Sequence, residues 1–194
     1  MTAPATNSGS TIVSEADGSR LEIWPLPTGE AFLKELLEYL FRSGWRQIYF
    51  GPIIEGAAFE IKPPRAPTLI SLADGYLTVC FGETHFHLCI GENRGMPGRP
   101  TPAALKKRRR CARAEFFRGL DRRGAPVHWG LRLFNGAGEP QLSVFLPNPF
   151  LDDALRPVKT PDFTRLTLWD DLRKRYLELP PDPADRLASG FSHC

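Results

Sequence analysis

Two alternating segments on either side of a short turn constrain the fold of this chain more than any other feature. Residues 76–81 (YLTVCF) and 84–90 (THFHLCI) place an apolar residue at every second position, and Gly82-Glu83 stands between them. Side chains of a strand alternate between two faces, and glycine at the first position of a two-residue loop is typical of a type II′ hairpin turn. The sequence therefore predicts an antiparallel hairpin with one apolar, core-facing side.

The other face of this predicted hairpin gathers potential metal ligands. With the turn at 82–83, Cys80 lies opposite His85, and His87 and Cys89 follow on the same face. Thiolate and imidazole are good ligands for Zn, Fe and Cu. The spacing predicts one transition-metal ion held by His85, His87 and either Cys89 or Cys80.

The completion of this site stays open at the level of sequence. Glu92, just beyond the strand, and His128, on a later predicted hairpin, are candidates for a further ligand. If the site is catalytic, a metal-bound water assisted by Glu83 or Glu92 is the simplest arrangement. The alternative interpretation is a half-buried strand whose histidines bond to neighbours and whose cysteines fill apolar space.

The rest of the chain alternates between helical and hairpin patterns. Helical spacing of apolar residues predicts helices over 29–44, with Thr28 as cap, over 101–124, and over 162–177. Hairpin turns are predicted at Asp74-Gly75 and near Asn135-Gly136. This order predicts an α+β fold: a mainly antiparallel sheet with about three helices packed on one face.

The domain organisation follows from composition. Residues 1–18 are rich in Ser, Thr, Gly and Ala, and residues 179–194 are rich in proline, so both are predicted to be tails. Residues 19–178 then form one domain. No apolar run reaches the ~20 residues that cross a bilayer, and no secretory signal is visible, which predicts a cytoplasmic protein without membrane contact.

A basic run supports a rival function. Residues 106–113 (KKRRRCAR) concentrate cations in a chain whose net charge is only +3. On a helix over 105–120 they would form a surface for an acidic protein partner in a non-enzymatic interaction protein. Nucleic acid is a further alternative, disfavoured because no recognisable binding motif accompanies the run. Whether the protein is an enzyme stays undecided.

Three segments resemble a small bacterial family of unknown function. They are THFHLCIG (84–91), WGLRLFNGAGEPQLSVFLPNPFL (129–151) and LTLWDDLRKRYL (166–177), and the likeness covers about residues 20–178. This resemblance implies no activity.

A minor resemblance concerns the histidine pair. His85, His87 and Glu92 are similar to the first motif of cupins, which implies a metal-holding barrel. The glycine spacing before His85 and the segment 124–135 depart from the cupin pattern.

Overall fold

The computed structural model of the protein describes residues 9–190, in which mainly antiparallel sheets combine with three α-helices. The strands are β1 Thr11–Ser14, β2 Arg20–Leu26, β3 Tyr49–Gly51, β4 Ile53–Ile54, β5 Ala57–Ala58, β6 Leu69–Ala73, β7 Tyr76–Cys80, β8 His85–Cys89, β9 Gly95–Met96, β10 Arg99–Pro100, β11 Cys111–Leu120, β12 Pro126–Asn135 and β13 Pro140–Phe145. The helices are α1 Glu30–Ser43, α2 Ala103–Arg109 and α3 Thr167–Leu172, with 3-10 segments at Phe163–Leu166 and Pro183–Arg186 and a π-helical segment at Arg173–Leu177.

Four sheets organise these strands. A six-stranded sheet has the order β1-β2-β11-β12-β13-β3, and a three-stranded sheet has the order β6-β7-β8. Two small hairpins, β4-β5 and β9-β10, complete the set. The α+β class is confirmed at this level, whereas the packing of the helices on one face stays a prediction. The strand orders are linear, unlike the closed barrel that the cupin resemblance implies.

The chain divides into two compact units. Within the described residues, the first comprises residues 9–25, Phe116–Gly130 and residues 145–190, and its core contains edge-to-face aromatic pairs. The Trp169 ring lies 5.7 Å from that of Trp24 and 5.9 Å from that of Phe116. Such pairs add directional contacts to the burial of large apolar surface.

The second unit, Leu26–Glu115 with Leu131–Val144, is built around α1. The buried face of this helix has the spacing of an amphipathic helix and consists of Leu33, Leu36, Leu37, Leu40 and Phe41. The helix ends as predicted at Gly44, whose N–H donates to the Leu40 carbonyl (2.8 Å). Its N-cap is Gly29 rather than the predicted Thr28, and no side chain caps it.

The predicted helix over 105–120 is wrong after its first turns. α2 ends at Arg109, and Cys111–Leu120 forms β11, which lies between β2 and β12 in the six-stranded sheet. Residues 114–119 are all buried. A strand buried on both faces shows no polar–apolar alternation, so its apolar residues matched a helical spacing by coincidence.

The predicted tails lie partly outside the described residues, at 1–8 and 191–194. Within the described part, Thr11–Ser14 pairs with β2, from Thr11↔Ile23 to Ser14↔Arg20. The segment Pro183–Arg186 forms a 3-10 turn that contributes a fully buried Asp185. The domain limits at 19 and 178 stay a prediction. Every helix within residues 9–190 is too short or too polar to span a bilayer.

Candidate functional site

The predicted register of the histidine hairpin is confirmed. β7 pairs with β8 through Cys80↔His85, Thr78↔His87 and Tyr76↔Cys89. The Phe81 N–H donates to the Thr84 carbonyl (2.8 Å) and closes the turn at Gly82-Glu83. The imidazoles and thiols therefore share the face that the sequence predicts for them.

The side chains on this face use their polar atoms locally. His87 Nδ1 and Thr78 Oγ1 are hydrogen-bonded at 2.8 Å, and the rings of His85 and His87 lie 5.1 Å apart. The Cys80 thiol donates to the Gly82 carbonyl (3.5 Å), and the Cys89 thiol donates to the Gly91 carbonyl (3.6 Å). Each thiol is thus bonded to a carbonyl two residues further along the chain, and Cys89 is also bonded to the Tyr76 side chain on β7.

One end of this face is buried. Cys89 is only 4% exposed, and burial raises the pKa of its thiol, which disfavours the thiolate form that metals bind. Gln141 covers this end of the hairpin, because its amide donates to the Arg109 carbonyl (2.7 Å) and to the Cys89 carbonyl (3.4 Å).

The predicted metal-binding function is wrong. Within residues 9–190, no three His, Cys, Asp or Glu side chains come together as ligands for one ion. The two candidates for a further ligand are engaged elsewhere: Glu92 pairs with Lys106, and the His128 ring lies 5.7 Å from that of Phe117 and directly over Gly119. The alternation of side chains along the strands places the histidines and cysteines on one face of the hairpin. It does not bring their nitrogen and sulfur atoms together around one point.

Five consecutive cations of the basic run, residues 106–110, lie in the second unit. Residues 106–109 make up most of α2, and Arg110 caps its C-terminus in an extended conformation. Cations are favourable at this end of a helix because the unpaired carbonyls there carry partial negative charge. The helix dipole thus explains why some basic residues are favourable at this position even when no ligand is bound.

Three of the five cations have partners within the unit. Lys106 Nζ lies 3.0 Å from Glu92 Oε1, and Arg108 Nη2 lies 2.9 Å from Glu139 Oε1. Arg109 Nη1 donates to the side-chain oxygen of Asn93 (3.0 Å). The hydrogen bond from Lys106 and its charge hold the pKa of Glu92 below the ordinary value, so this carboxylate stays ionised.

The other two cations, Lys107 and Arg110, lie within 4 Å of no carboxylate in the described part of the chain. Both are exposed. Together with Lys106 they line an open cleft of about 710 Å³, whose lining residues are Thr28, Glu92, Ala103, Lys106, Lys107, Arg110, Cys111 and Ala112. Three cations against one carboxylate leave the lining with a net charge of +2.

The cleft offers donors rather than a nucleophile. Cys111 is almost fully buried, and burial raises the pKa of its thiol to about 11, so the thiol stays protonated near neutral pH. Glu92 is committed to Lys106. The remaining polar groups are the Thr28 hydroxyl and the three cations, and this set suits the binding of negative charge.

A second group of charges, in the first unit, is centred on two buried residues, Arg118 and Asp185. Arg118 Nη1 donates to Asp185 Oδ1 (2.8 Å) and to Asp182 Oδ2 (2.9 Å), and its Nε donates to Glu22 Oε2 (2.8 Å). Asp185 also accepts from the indole N–H groups of Trp129 and Trp169, each at 2.8 Å. We name these residues, Glu22, Arg118, Trp129, Trp169, Asp182 and Asp185, the Arg118 network.

Sequence reasoning found the basic run but missed both the cleft and this network. Asp182 followed by Pro183 is a recognisable start of a helical turn, and that local signal could have been read. The burial of Asp185 has no local signal, since its donors come from residues 56 and 16 positions away.

Comparison with curated proteins finds no match for this chain. A family model described only as a family of unknown function, DUF7676, matches residues 10–178. This range contains the histidine hairpin, the basic run and most of the Arg118 network. The chain therefore belongs to the DUF7676 family of unknown function.

Proposed function

We propose that this protein is a non-enzymatic interaction protein that binds an acidic segment of a protein partner at the basic cleft of α2. One observation carries the proposal: Lys107 and Arg110 line the cleft without a carboxylate partner in the described residues. Two negative charges of a partner would complete the pattern that Glu92, Glu139 and Asn93 begin.

The shape of the surface supports a peptide rather than an enclosed small molecule. Small-molecule sites bury most of their ligand among apolar side chains. This cleft is open, and Lys107 and Arg110, which line it, are both exposed. A segment of a partner with several carboxylates can reach both cations while most of its surface stays in water.

The chemistry of the lining argues against nucleic acid as the ligand. Proteins that bind single strands combine cations with aromatic side chains on which bases stack. The lining residues of this cleft include no aromatic side chain within the described chain. Carboxylate recognition needs only the ammonium, guanidinium and hydroxyl donors that are present.

Exposure predicts how strong and how salt-dependent the interaction is. Exposed ion pairs contribute roughly 0.2–1 kcal/mol each, and salt screens them over a distance of about 8–10 Å. Two such pairs with the hydrogen bonds around them give weak binding in which charge selects the partner. The binding constant should therefore fall steeply as salt is raised.

The test is the binding of a fluorescent deca-glutamate peptide, measured by anisotropy at low and physiological salt. We expect the full chain to bind the peptide at low salt, and we expect Lys107→Gln/Arg110→Gln to weaken binding about tenfold. The matched control is Arg122→Gln/Arg123→Gln, which removes the same charge from an exposed turn elsewhere and should change affinity less than twofold.

Three results contradict the proposal. The peptide could fail to bind at low salt, or the two double variants could weaken binding equally, which would indicate attraction to net charge alone. A labelled deca-uridine RNA that binds more tightly than the peptide would favour nucleic acid instead.

A further inference from the structure

Several buried N–H donors of the Arg118 network converge on one carboxylate. Asp185 Oδ1 accepts from Arg118 Nη1 and from the Trp129 indole, each at 2.8 Å. The other oxygen, Oδ2, accepts from the Trp169 indole, also at 2.8 Å. Asp185 belongs to residues 179–190, which we name the C-terminal segment. The donors therefore lie on the strands and helix of the first unit, and their shared acceptor comes from a short segment near the end of the chain.

A further donor beside these is left without an acceptor. Arg173 is 5% exposed, and its Nη2 atom lies 3.9 Å from Asp182 Oδ2. Its Nη1 atom is buried and has no hydrogen-bond partner in the described chain. Because a buried donor without an acceptor costs free energy, this position favours one more acceptor than the C-terminal segment supplies. We name the buried donors Arg118, Trp129, Trp169 and Arg173 the donor site.

The charge of the donor site is balanced only in part by the strands. Arg118 Nη2 lies 2.7 Å from Glu22 Oε2, and Glu22 belongs to β2. This strand carboxylate balances one of the two guanidinium charges. Asp182 adds a second carboxylate from the C-terminal segment, because its Oδ2 accepts from Arg118 Nη1 (2.9 Å). Since a buried cation without a counter-charge is costly, the donor site favours an acidic ligand.

The C-terminal segment is held mainly by polar contacts. Its buried residues are Asp185 and Ala188, whereas Leu187 is 73% exposed. Arg186 Nη2 lies 2.5 Å from Asp170 Oδ2 and adds an ion pair. None of the strands within residues 9–190 pairs with the segment. Little apolar surface leaves water when the segment docks, so hydrogen bonds and ion pairs provide most of its attachment.

The docked shape of the segment is supported by its own sequence. Asp182 Oδ1 accepts from the Ala184 N–H (2.9 Å) and caps the 3-10 turn Pro183–Arg186. The three prolines of the segment restrict φ at their positions. A segment that is already ordered loses less conformational entropy when it binds. The same sequence as a separate peptide should therefore recognise the donor site.

We propose that the donor site binds acidic segments of the form Asp-x-x-Asp, and that the C-terminal segment is an internal ligand which detaches while the rest of the first unit stays folded. When it detaches, two guanidinium groups and two indole N–H groups become available to a peptide of a partner. All four donors lie within residues 10–178, which the family model matches, whereas both aspartates lie beyond them. The donor site shares no residue with the basic cleft of α2, so this proposal is independent of the function proposed above.

The first test is amide hydrogen exchange of the wild-type full chain, followed by NMR. The Asp185 N–H donates within its own turn (3.1 Å), so it is protected only while the segment keeps this turn. We expect this amide to exchange at least tenfold faster than the amides of β11, after correction for intrinsic rates, because regions with few buried apolar contacts open separately. Equal protection of Asp185 and β11 would show that the segment leaves only on global unfolding, which overturns the proposal.

The second test is the binding of a fluorescent peptide of residues 179–190, measured by anisotropy. In the full-chain variant Asp182→Asn/Asp185→Asn, the internal ligand lacks both carboxylates. This variant should bind the peptide at least tenfold more tightly than wild type, whose tethered segment competes at an effective concentration on the order of millimolar. The matched control Asp153→Asn/Asp171→Asn removes the same charge from exposed residues and should bind like wild type. A peptide in which both aspartates are replaced by asparagine should bind the variant at least tenfold more weakly.

Circular dichroism and thermal unfolding check that each variant is folded. Should the double variant unfold, Arg186→Gln removes only the ion pair with Asp170, and it should speed exchange of the Asp185 amide at least threefold without changing β11. Equal peptide affinity for wild type and the folded double variant overturns the proposal. Equal binding of the acidic peptide and its asparagine version also overturns it, as does unchanged exchange in Arg186→Gln.

Discussion

Arg118 lies within β11 and Arg110 directly precedes it, yet the surroundings of these two arginines are opposite. Arg118 is 6% exposed and contacts three carboxylates, those of Glu22, Asp182 and Asp185. Arg110 is exposed at the end of α2, and no carboxylate lies within 4 Å of it in the described chain. The comparison teaches that the number of cations in a segment is a poor guide to function. Whether each cation already has a carboxylate partner indicates whether it supports the fold or is available to a ligand.

The physical reason for the difference is solvation. A charge taken out of water costs several kcal/mol unless opposite charges and hydrogen bonds replace the lost water. Arg118 is therefore found with a full set of acceptors, and the Asp185 and Glu22 carboxylates hold its pKa above the ordinary value against the effect of burial. An exposed cation such as Arg110 keeps its water and needs no partner for stability, so it is available to a ligand.

The largest expected effect is on the Arg118 network. Asp185→Ala removes one of the three carboxylates that contact Arg118 and the acceptor of two buried indole N–H groups. We expect a loss of about 3–5 kcal/mol in the free energy of unfolding, because two buried donors lose their hydrogen bonds and a buried cation loses its fully buried partner. Chemical denaturation measures this loss. The exposed Asp171→Ala is the control, and a loss below about 1 kcal/mol for Asp185→Ala would refute the structural importance of the network.

A smaller effect is expected in the pH dependence of stability. Partial burial acts to raise the pKa of Asp182, but the Ala184 N–H and the charge of Arg118 outweigh it and hold this pKa below the ordinary value. A carboxyl group with a lowered folded pKa stabilises the fold fully above the unfolded pKa of about 3.9, and this contribution is lost as pH falls through the folded pKa.

We therefore expect the unfolding free energy of wild type to fall more steeply below about pH 4 than that of Asp182→Asn. Denaturant titrations between pH 2.5 and 6 provide the measurement, and Asp171→Asn provides a control with the same chemical change. Parallel pH profiles for wild type and Asp182→Asn would show that the charge of Asp182 adds nothing to stability.

The smallest effect is expected at the basic cleft. Lys107→Gln/Arg110→Gln should change the free energy of unfolding by no more than about 0.5 kcal/mol, since exposed residues without partners contribute little. The same variant is expected to bind the peptide about tenfold more weakly, so it affects binding without affecting stability. A destabilisation above about 1.5 kcal/mol would mean that these cations support the fold. Lys107 and Arg110 would then resemble Arg118, whose charge is part of the folded structure.

Much of the hairpin region was predictable, because local rules govern it. The turns at Asp74-Gly75 and Gly82-Glu83 determine the register of β6, β7 and β8. The observed pairs of β7 with β8 agree with the prediction residue by residue, and the predicted turn at Asp74-Gly75 joins β6 to β7. α1 and the helical segment from Phe163 to Leu177 likewise follow from apolar spacing and from Gly44 or Asp162 at a terminus. In these segments each residue's neighbours along the chain are sufficient to specify the structure.

The predictions of a metal site and of a long second helix were wrong for two related reasons. Register placed His85, His87, Cys80 and Cys89 on one face, but side-chain rotation and covering residues such as Gln141 decided where the donor atoms point. In Cys111–Leu120 the apolar spacing suited a helix, yet the segment lies in the interior of a sheet. Both errors arose where distant residues determine the environment.

The sequence by itself determined the α+β class, the meander with its register, and the concentration of positive charge at 106–110. Only the tertiary structure decided that Asp185 is buried and accepts from two tryptophans, that Lys107 and Arg110 line a cleft with no carboxylate partner among the described residues, and that Ile54, Phe59 and Ile61 stay exposed. Turns and periodicity act over a few residues, whereas burial and charge pairing depend on contacts between segments that the chain brings together only when it folds.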